Sequence, residues 1–373
     1  MKFVIEKNIL LDAIVNVSRA ISTRTTIPIL NGIKFELKND GLYLTATDSE
    51  LTIKIFIEEK KITKIENTGA VVIQSKYILD IIRKMPTNVI NFEVINNNNI
   101  KISSDYNEYE LNCYDVSDYP NVLFEEGKEP VPMKSSLLKH IINNTSYAIS
   151  NQEVRPLLTG LNLNITGDNL EFIATDSYRL AKMNVKLDRI VENVVNIVIP
   201  GKSVLEIEKI LSDEDDEIVL HIFNNKLIIV FKNIEIQTNL LSGTYPDTSH
   251  FIPNEFKYVI NIDLNTFNAA VDRATILAQN KDKNIVKMVV NGKEMILSTS
   301  SNELGKTEEK LMIESSCDEY LDIAFSSKYM LDALKVFKDN DLIILLNADD
   351  KPILVKSLKD DSTLGLILPV KTY

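Results

Sequence analysis

The sequence predicts an α+β fold built as three tandem copies of one module, with two helices and several antiparallel strands in each copy. Three observations predict it. Short motifs recur in the same order at nearly constant offsets. Each copy opens on a stretch whose apolar residues follow the 3.6-residue helical period. Alternating runs bounded by turn residues follow each such stretch, as half-buried strands require.

The recurrence is explicit. Thr45-Ala46-Thr47-Asp48-Ser49-Glu50 returns 128 residues later as Ile173-Ala174-Thr175-Asp176-Ser177-Tyr178, and more faintly as Leu297-Ser298-Thr299-Ser300-Ser301-Asn302. Ser75-Lys76-Tyr77-Ile78-Leu79-Asp80 returns as Gly201-Lys202-Ser203-Val204-Leu205-Glu206 and as Ser327-Lys328-Tyr329-Met330-Leu331-Asp332, with successive lysines 126 residues apart. Ile27-Pro28-Ile29-Leu30-Asn31-Gly32-Ile33 matches Arg155-Pro156-Leu157-Leu158-Thr159-Gly160-Leu161, again at an offset of 128. One six-residue match can be chance, but three sets in one order at one spacing mark a tandem repeat. Turn and linker residues collect at Glu125 to Pro130 and at Ile252 to Glu255, so the expected domains are 1–125, 126–253 and 254–373. A length of 373 residues suits three domains at roughly 100 to 200 residues each.

Within the first copy, Ile9, Leu10, Ala13, Ile14, Val17 and Ala20 place a helix over Lys7 to Ala20. Its equivalents are Ser135 to Ala148 and Asp263 to Ala278, the last with Asp263 as a good N-cap. Strands follow at Ile33 to Leu37, Leu42 to Thr45 and Ile53 to Ile57, divided by turn residues such as Asn39-Asp40-Gly41. The lysine-marked motif begins a second helix, Lys76 to Lys84, striped by Tyr77, Ile78, Ile81 and Ile82. Ile90 to Val94 and Ile100 to Ser103 then pair around an Asn96 to Asn99 turn.

Charge is unevenly spread. The chain carries -12, yet the six helical segments with their flanks sum to +7, leaving -19 for the rest. A set of helices kept on one side would make that side basic within an acidic body, suited to loose, sequence-independent contacts with phosphates. Trp is absent and the aromatics fall mostly in strand patterns, so little is available to stack on or read bases.

Several chemistries are disfavoured. Ile199-Pro200-Gly201-Lys202-Ser203 imitates the end of a phosphate-binding loop, but position 196 is Asn where that loop needs glycine. His140, His221 and His250 have no spacing for a metal site or a triad, and the acidic run Asp213 to Glu217 lacks the pattern of a calcium loop. Cys113 and Cys317 are the two cysteines, too few for a disulfide framework. No catalytic residue, metal or cofactor is expected. No window approaches the roughly 18 apolar residues of a membrane span, and the opening residues lack a secretory pattern, so the expected location is the cytoplasm.

The opening Met1-Lys2-Phe3, Arg24 with Thr26 to Leu30, Ala174 to Ala181, Gly243-Thr244-Tyr245-Pro246-Asp247 and the tail Leu368-Pro369-Val370-Lys371 together resemble the bacterial DNA polymerase III β subunit family, the processivity sliding clamps. The resemblance covers essentially the whole chain. It implies a non-enzymatic, ring-shaped head-to-tail homodimer that encircles double-stranded DNA. Its implied partners are the polymerase III alpha subunit, the clamp loader delta subunit, and other replication and mismatch-repair proteins carrying a clamp-binding peptide.

The resemblance also implies positions. DNA contacts fall on Arg24, Gln152, Arg155 and Lys202, with Gly201 standing where a well-studied branch has a basic residue. Ile81, Tyr109 and Leu111 would face Arg273, Ile276 and Leu277 across the subunit joint. A peptide pocket between the second and third domains would use Leu158, Thr175, Ser177, Tyr178, Arg179, Leu180, Pro246, His250, Phe251, Leu366, Leu368, Pro369, Val370 and Lys371. In that expectation the groove is apolar, with Arg179 at its rim, and Ser177, Tyr178, His250 and Phe251 depart from the family pattern. Two other readings compete: an enzyme with a phosphate loop at Gly201, and a protein scaffold without nucleic acid. Neither accounts for the positive charge of the helices.

Overall fold

The computed structural model describes residues 1–22, 25–96, 99–152, 154–277, 284–301 and 304–371. Its α-helices are α1 (Lys7–Val17), α2 (Ser75–Lys84), α3 (Ser135–Thr145), α4 (Gly201–Ile210), α5 (Leu264–Thr275) and α6 (Ser327–Leu334), two to each copy.

The first helix of every copy ends in the same way. Ser18 Oγ donates to the Ile14 carbonyl at 2.6 Å, Thr145 Oγ1 to Ile141 at 2.8 Å and Thr275 Oγ1 to Val271 at 2.7 Å. A hydroxyl that bonds the carbonyl four residues back competes with the helical ladder. The chain accordingly tightens into 3₁₀ turns at Ser18–Ala20 and Ser146–Ala148, where periodicity alone extends the helices to Ala20 and Ala148. The expected extension of α5 to Ala278 runs into residues outside those described. Asp263 caps α5 as predicted, accepting from the Thr266 N–H at 2.7 Å.

The predicted strands of the first copy are present as Gly32–Lys38, Gly41–Thr47, Leu51–Glu58, Val89–Asn96 and Asn99–Ser103; the tip of the Asn96 to Asn99 turn lies outside the described residues. Periodicity missed the opening strand Lys2–Glu6, which pairs with Ile62–Asn67 and Val89–Asn96. It also missed how the second copy fuses its strands into two long ones, Gly160–Thr175 and Arg179–Pro200.

Strand pairing crosses from copy to copy. Leu51–Glu58 of the first copy pairs antiparallel with Ile234–Asn239, which closes the second. In the same relation, the start of Arg179–Pro200 pairs with Thr363–Ile367, which closes the third. The resulting eight-stranded and seven-stranded sheets therefore each contain strands of two copies. The equivalent strands left over are Gly305–Met312 of the third copy and Glu108–Asn112 of the first. Each is the edge strand of its own sheet.

Two compact units follow, residues 1–139 with 205–240, and residues 140–204 with 241–373. The first holds the five-stranded and eight-stranded sheets, and its core includes Phe3 and Phe35, both stacked on Phe92 at 5.0 and 6.0 Å. The second holds the seven-stranded and four-stranded sheets around Phe267, Met288, Phe325 and Ile344, all fully buried. Burying each such side chain contributes roughly 1.5 to 3 kcal/mol. The candidate site lies on the second of these units.

Candidate functional site

The repeated Thr-Asp-Ser motif builds a tight turn at Thr175 to Arg179. Ser177 occupies the left-handed region at φ 76°, a conformation that a non-glycine residue keeps only when its neighbours fix it. Here they do. Asp176 Oδ1 accepts from the N–H groups of Tyr178 (2.9 Å) and Arg179 (3.0 Å). Thr175 Oγ1 donates to the Arg179 carbonyl at 2.6 Å and accepts from the Ser177 N–H at 3.2 Å. The Tyr245 hydroxyl accepts from the Thr175 N–H at 3.1 Å, and burial pushes that phenol well above its ordinary pKa. The Tyr178 carbonyl accepts from the Leu368 N–H at 2.9 Å, fastening the segment after the last strand to the turn.

Between the turn and that segment opens a cleft of about 250 Å³. It brings together Leu158, Thr175, Ser177, Tyr178, Arg179, Leu180, Pro246, Phe251, Leu366 and Leu368, ten of the residues expected there. Leu158, Leu180 and Leu366 are buried and form the apolar floor, while Tyr178 and Phe251 stand more than half exposed. Thr248 and Arg155 join the lining without having been expected in it. Arg155, expected among the DNA contacts, is exposed here and donates to Ser177 Oγ at 3.3 Å. Four of the expected pocket residues lie outside the lining. His250 is exposed and turned toward Asp247, 3.4 Å away. Pro369, Val370 and Lys371 continue past the cleft, with the Val370 N–H donating to the Ala324 carbonyl at 2.7 Å.

Arg179 requires a correction: it is not a rim residue. It is 8% exposed. Its Nε donates to Asp176 Oδ2 at 3.1 Å and its Nη1 to Asp332 Oδ2 on α6 at 2.7 Å. The guanidinium also lies over the rings of Tyr329 (4.6 Å) and Tyr147 (5.5 Å). A buried charge is tolerated only when paired and hydrogen-bonded in this way. Burial pushes the Asp332 carboxyl up, but hydrogen bonds from Arg179 and Lys335 outweigh it and hold the group below its ordinary value.

Of the other residues expected to touch DNA, Gln152 and Lys202 are exposed, Lys202 as the second residue of α4, and Arg24 lies outside the described residues. A Cβ on Gly201 would come within 2.6 Å of the Thr159 carbonyl and 2.9 Å of Ile149 Cγ2. The glycine is there because the start of α4 packs against backbone, which is a packing role rather than a phosphate cradle.

Some of the residues expected at the subunit joint lie on or against the two edge strands. Tyr109 and Leu111 lie on Glu108–Asn112, and Ile81 is half-buried on α2. Arg273 on α5 makes a bidentate pair with Glu309 of Gly305–Met312, Nε to Oε1 at 3.0 Å and Nη2 to Oε2 at 2.7 Å. Ile276 is 61% exposed beyond it, and Leu277 is half-buried.

Among the described residues, no group of three or more His, Cys, Asp or Glu side chains could hold a metal ion. Burial pushes the Cys113 thiol up to about 11, the opposite of what a nucleophile needs. Also among the described residues, no helix is long and apolar enough to cross a membrane.

Models of the N-terminal, central and C-terminal domains of the DNA polymerase III beta subunit match residues 1–123, 132–247 and 249–371. The chain belongs to the DNA polymerase III beta subunit family. It is 38% identical over 378 residues to the beta sliding clamp of Bacillus subtilis and 34% identical over 377 residues to that of Staphylococcus aureus, covering each of them completely. The crystal structure of the Bacillus subtilis DNA polymerase sliding clamp superposes with a TM-score of 0.97 at 37% identity, over the whole of both chains. Family membership makes this chain a non-catalytic processivity factor of DNA replication, a sliding clamp built from three tandem clamp domains. DNA and a polymerase are the partners that this membership carries.

Proposed function

We propose that the clamp works in the cytoplasm as a head-to-tail homodimer closed around duplex DNA, with domains at 1–125, 126–253 and 254–373. One observation carries the reading. Each of the first two copies hands an outgoing strand to the closing strand of the next, and the third copy's outgoing strand, Gly305–Met312, is an edge, as is the first copy's closing strand, Glu108–Asn112. A second subunit supplies the missing partner to both edges at once, and symmetry closes the assembly. Ile81, Tyr109 and Leu111 of one subunit then face Arg273, Ile276 and Leu277 of the other.

Encircled DNA would be touched lightly by Arg24, Gln152, Arg155 and Lys202, since strong phosphate contacts would oppose sliding. The cleft would receive a short peptide from the polymerase alpha subunit, the loader delta subunit or a repair protein. Its apolar floor suits large aliphatic or aromatic anchors, and the exposed polar edge at Ser177 and Arg155 suits one amide side chain. Loading the protein on nicked circular and on linear DNA and following its retention tests the ring. The expected result is retention on the circle and rapid loss from the linear ends; equal loss from both overturns it. Ile276→Asp, which buries a charge in the joint, should convert dimer to monomer by light scattering.

A further inference from the structure

We infer that Asp332 is a positioning residue for the peptide cleft: it touches no peptide but fixes the Thr175 to Arg179 turn through the buried guanidinium of Arg179. This rests on reading the cleft as the peptide site. Arg179 has two carboxylate partners, and they act on different parts of the structure. Asp176 uses Oδ2 for Arg179 and Oδ1 for the N–H groups of Tyr178 and Arg179, so the orientation of its carboxylate sets the turn. Asp332 belongs to α6 and holds the far end of the guanidinium at 2.7 Å. Tyr329, one turn earlier on the same helix face, places its ring against Arg179 (4.6 Å) and against the ring of Tyr178 (6.4 Å). Helix α6 thus grips both the buried base of the turn and its exposed aromatic wall.

Without the Asp332 carboxylate, the guanidinium keeps a single carboxylate partner, Asp176, in a site that remains buried. Recovering solvation or a second partner requires Arg179 to swing, and Asp176 swings with it. The Tyr178 carbonyl that holds Leu368 N–H, and the Tyr178 ring itself, then lose their fixed places. The other cation on Asp332, Lys335 at 2.9 Å, has a largely exposed side chain and is not needed for this chain of contacts.

The test uses the full-length protein and Asp332→Asn, which keeps shape and removes charge. Amide hydrogen exchange without peptide should rise about tenfold or more in 175–180 and 366–370 while the strands at 258–263 and 341–346 keep wild-type protection. Affinity for a synthetic peptide with one glutamine and two large apolar anchors should fall about tenfold. Asp332→Glu should recover part of both losses, and Lys335→Ala should change neither. Wild-type exchange at 175–180 in Asp332→Asn, or a loss of protection equal in all four segments, overturns the positioning role. Should Asp332→Asn fail to fold, the same exchange comparison in Asp332→Glu, whose carboxylate is displaced by one methylene, decides the matter. Unchanged peptide affinity in Leu368→Ala instead removes the peptide-site reading and leaves the exchange result standing.

Discussion

The turn at Thr47 to Leu51 and the turn at Thr175 to Arg179 are the same object made twice, and the second borders the cleft of about 250 Å³. Their internal geometry is nearly superimposable. Ser49 and Ser177 have φ of 78° and 76°. Asp48 Oδ1 accepts from Glu50 and Leu51 N–H at 3.1 and 2.8 Å, as Asp176 does from Tyr178 and Arg179. Even the attachment to the next copy is kept, with Asn239 N–H donating to the Glu50 carbonyl where Leu368 N–H donates to that of Tyr178.

What differs is the side chains hung on this frame. Glu50 and Asn239 are polar where Tyr178 and Leu368 are apolar, and fully buried Leu51 stands where Arg179 does. Each unit also keeps an acid at the sixth position of the lysine-marked motif. In the first, Glu206 on α4 takes Arg19 from the turn after α1 at 3.5 Å and Lys209 at 2.8 Å. In the second, Asp332 takes Arg179 and Lys335, while Tyr147, 128 residues after Arg19, has become a ring against the guanidinium. The arginine has in effect moved from the helix end to the turn. The two copies share one scaffold and differ in a few side chains around it.

The comparison is broken most severely by Arg179→Met, which removes the buried cation shared by Asp176 and Asp332 and leaves Asp332 with Lys335; urea unfolding should show a loss of about 3 to 5 kcal/mol. Leu51→Ala at the matching site removes only packing and should cost about 2 to 4 kcal/mol in the same assay. Arg19→Met should cost below about 1 kcal/mol, because its pair is long and its side chains are 25% and 21% exposed.

Acid supplies a further test. A carboxyl held below its ordinary value contributes stability that is present above the unfolded pKa, about 3.9, and is lost as pH falls through the folded value. Calorimetry should therefore show no Asp332-dependent change between pH 7 and 5, and a loss below pH 4 that Asp332→Asn does not share. The smallest effect is expected from Ser49→Gly and Ser177→Gly, which relieve a left-handed residue and should each shift stability by less than about 1 kcal/mol.

The architecture was largely legible in the residues. Apolar period placed helices at Lys7 to Ala20 and Lys76 to Lys84, recurrence of the motifs carried them to the other copies and gave the copy number, and Asp263 announced its cap. The hairpin partners Ile90 to Val94 and Ile100 to Ser103 were legible from the turn between them, but partners across copies were not, because alternation at Ile53 to Ile57 specifies a buried face and says nothing of which strand lies beside it. The cleft was legible only through family resemblance, and imperfectly. An arginine in sequence looks like a surface residue, and nothing local to Arg179 reveals an acid 153 residues away on another helix. Thr248 had no signal of its own. His250 stands two residues further along the chain but faces solvent beside Asp247, because the 3₁₀ turn Ser249–Phe251 rotates it away.

The edge strands Glu108–Asn112 and Gly305–Met312 carry a liability as well as an opportunity. An unoccupied strand edge accepts any extended chain, including a misfolded neighbour. Charged side chains line both edges, Glu108 paired with Lys101 on one and Glu309 with Arg273 on the other, the kind of side chain that discourages edge-to-edge aggregation.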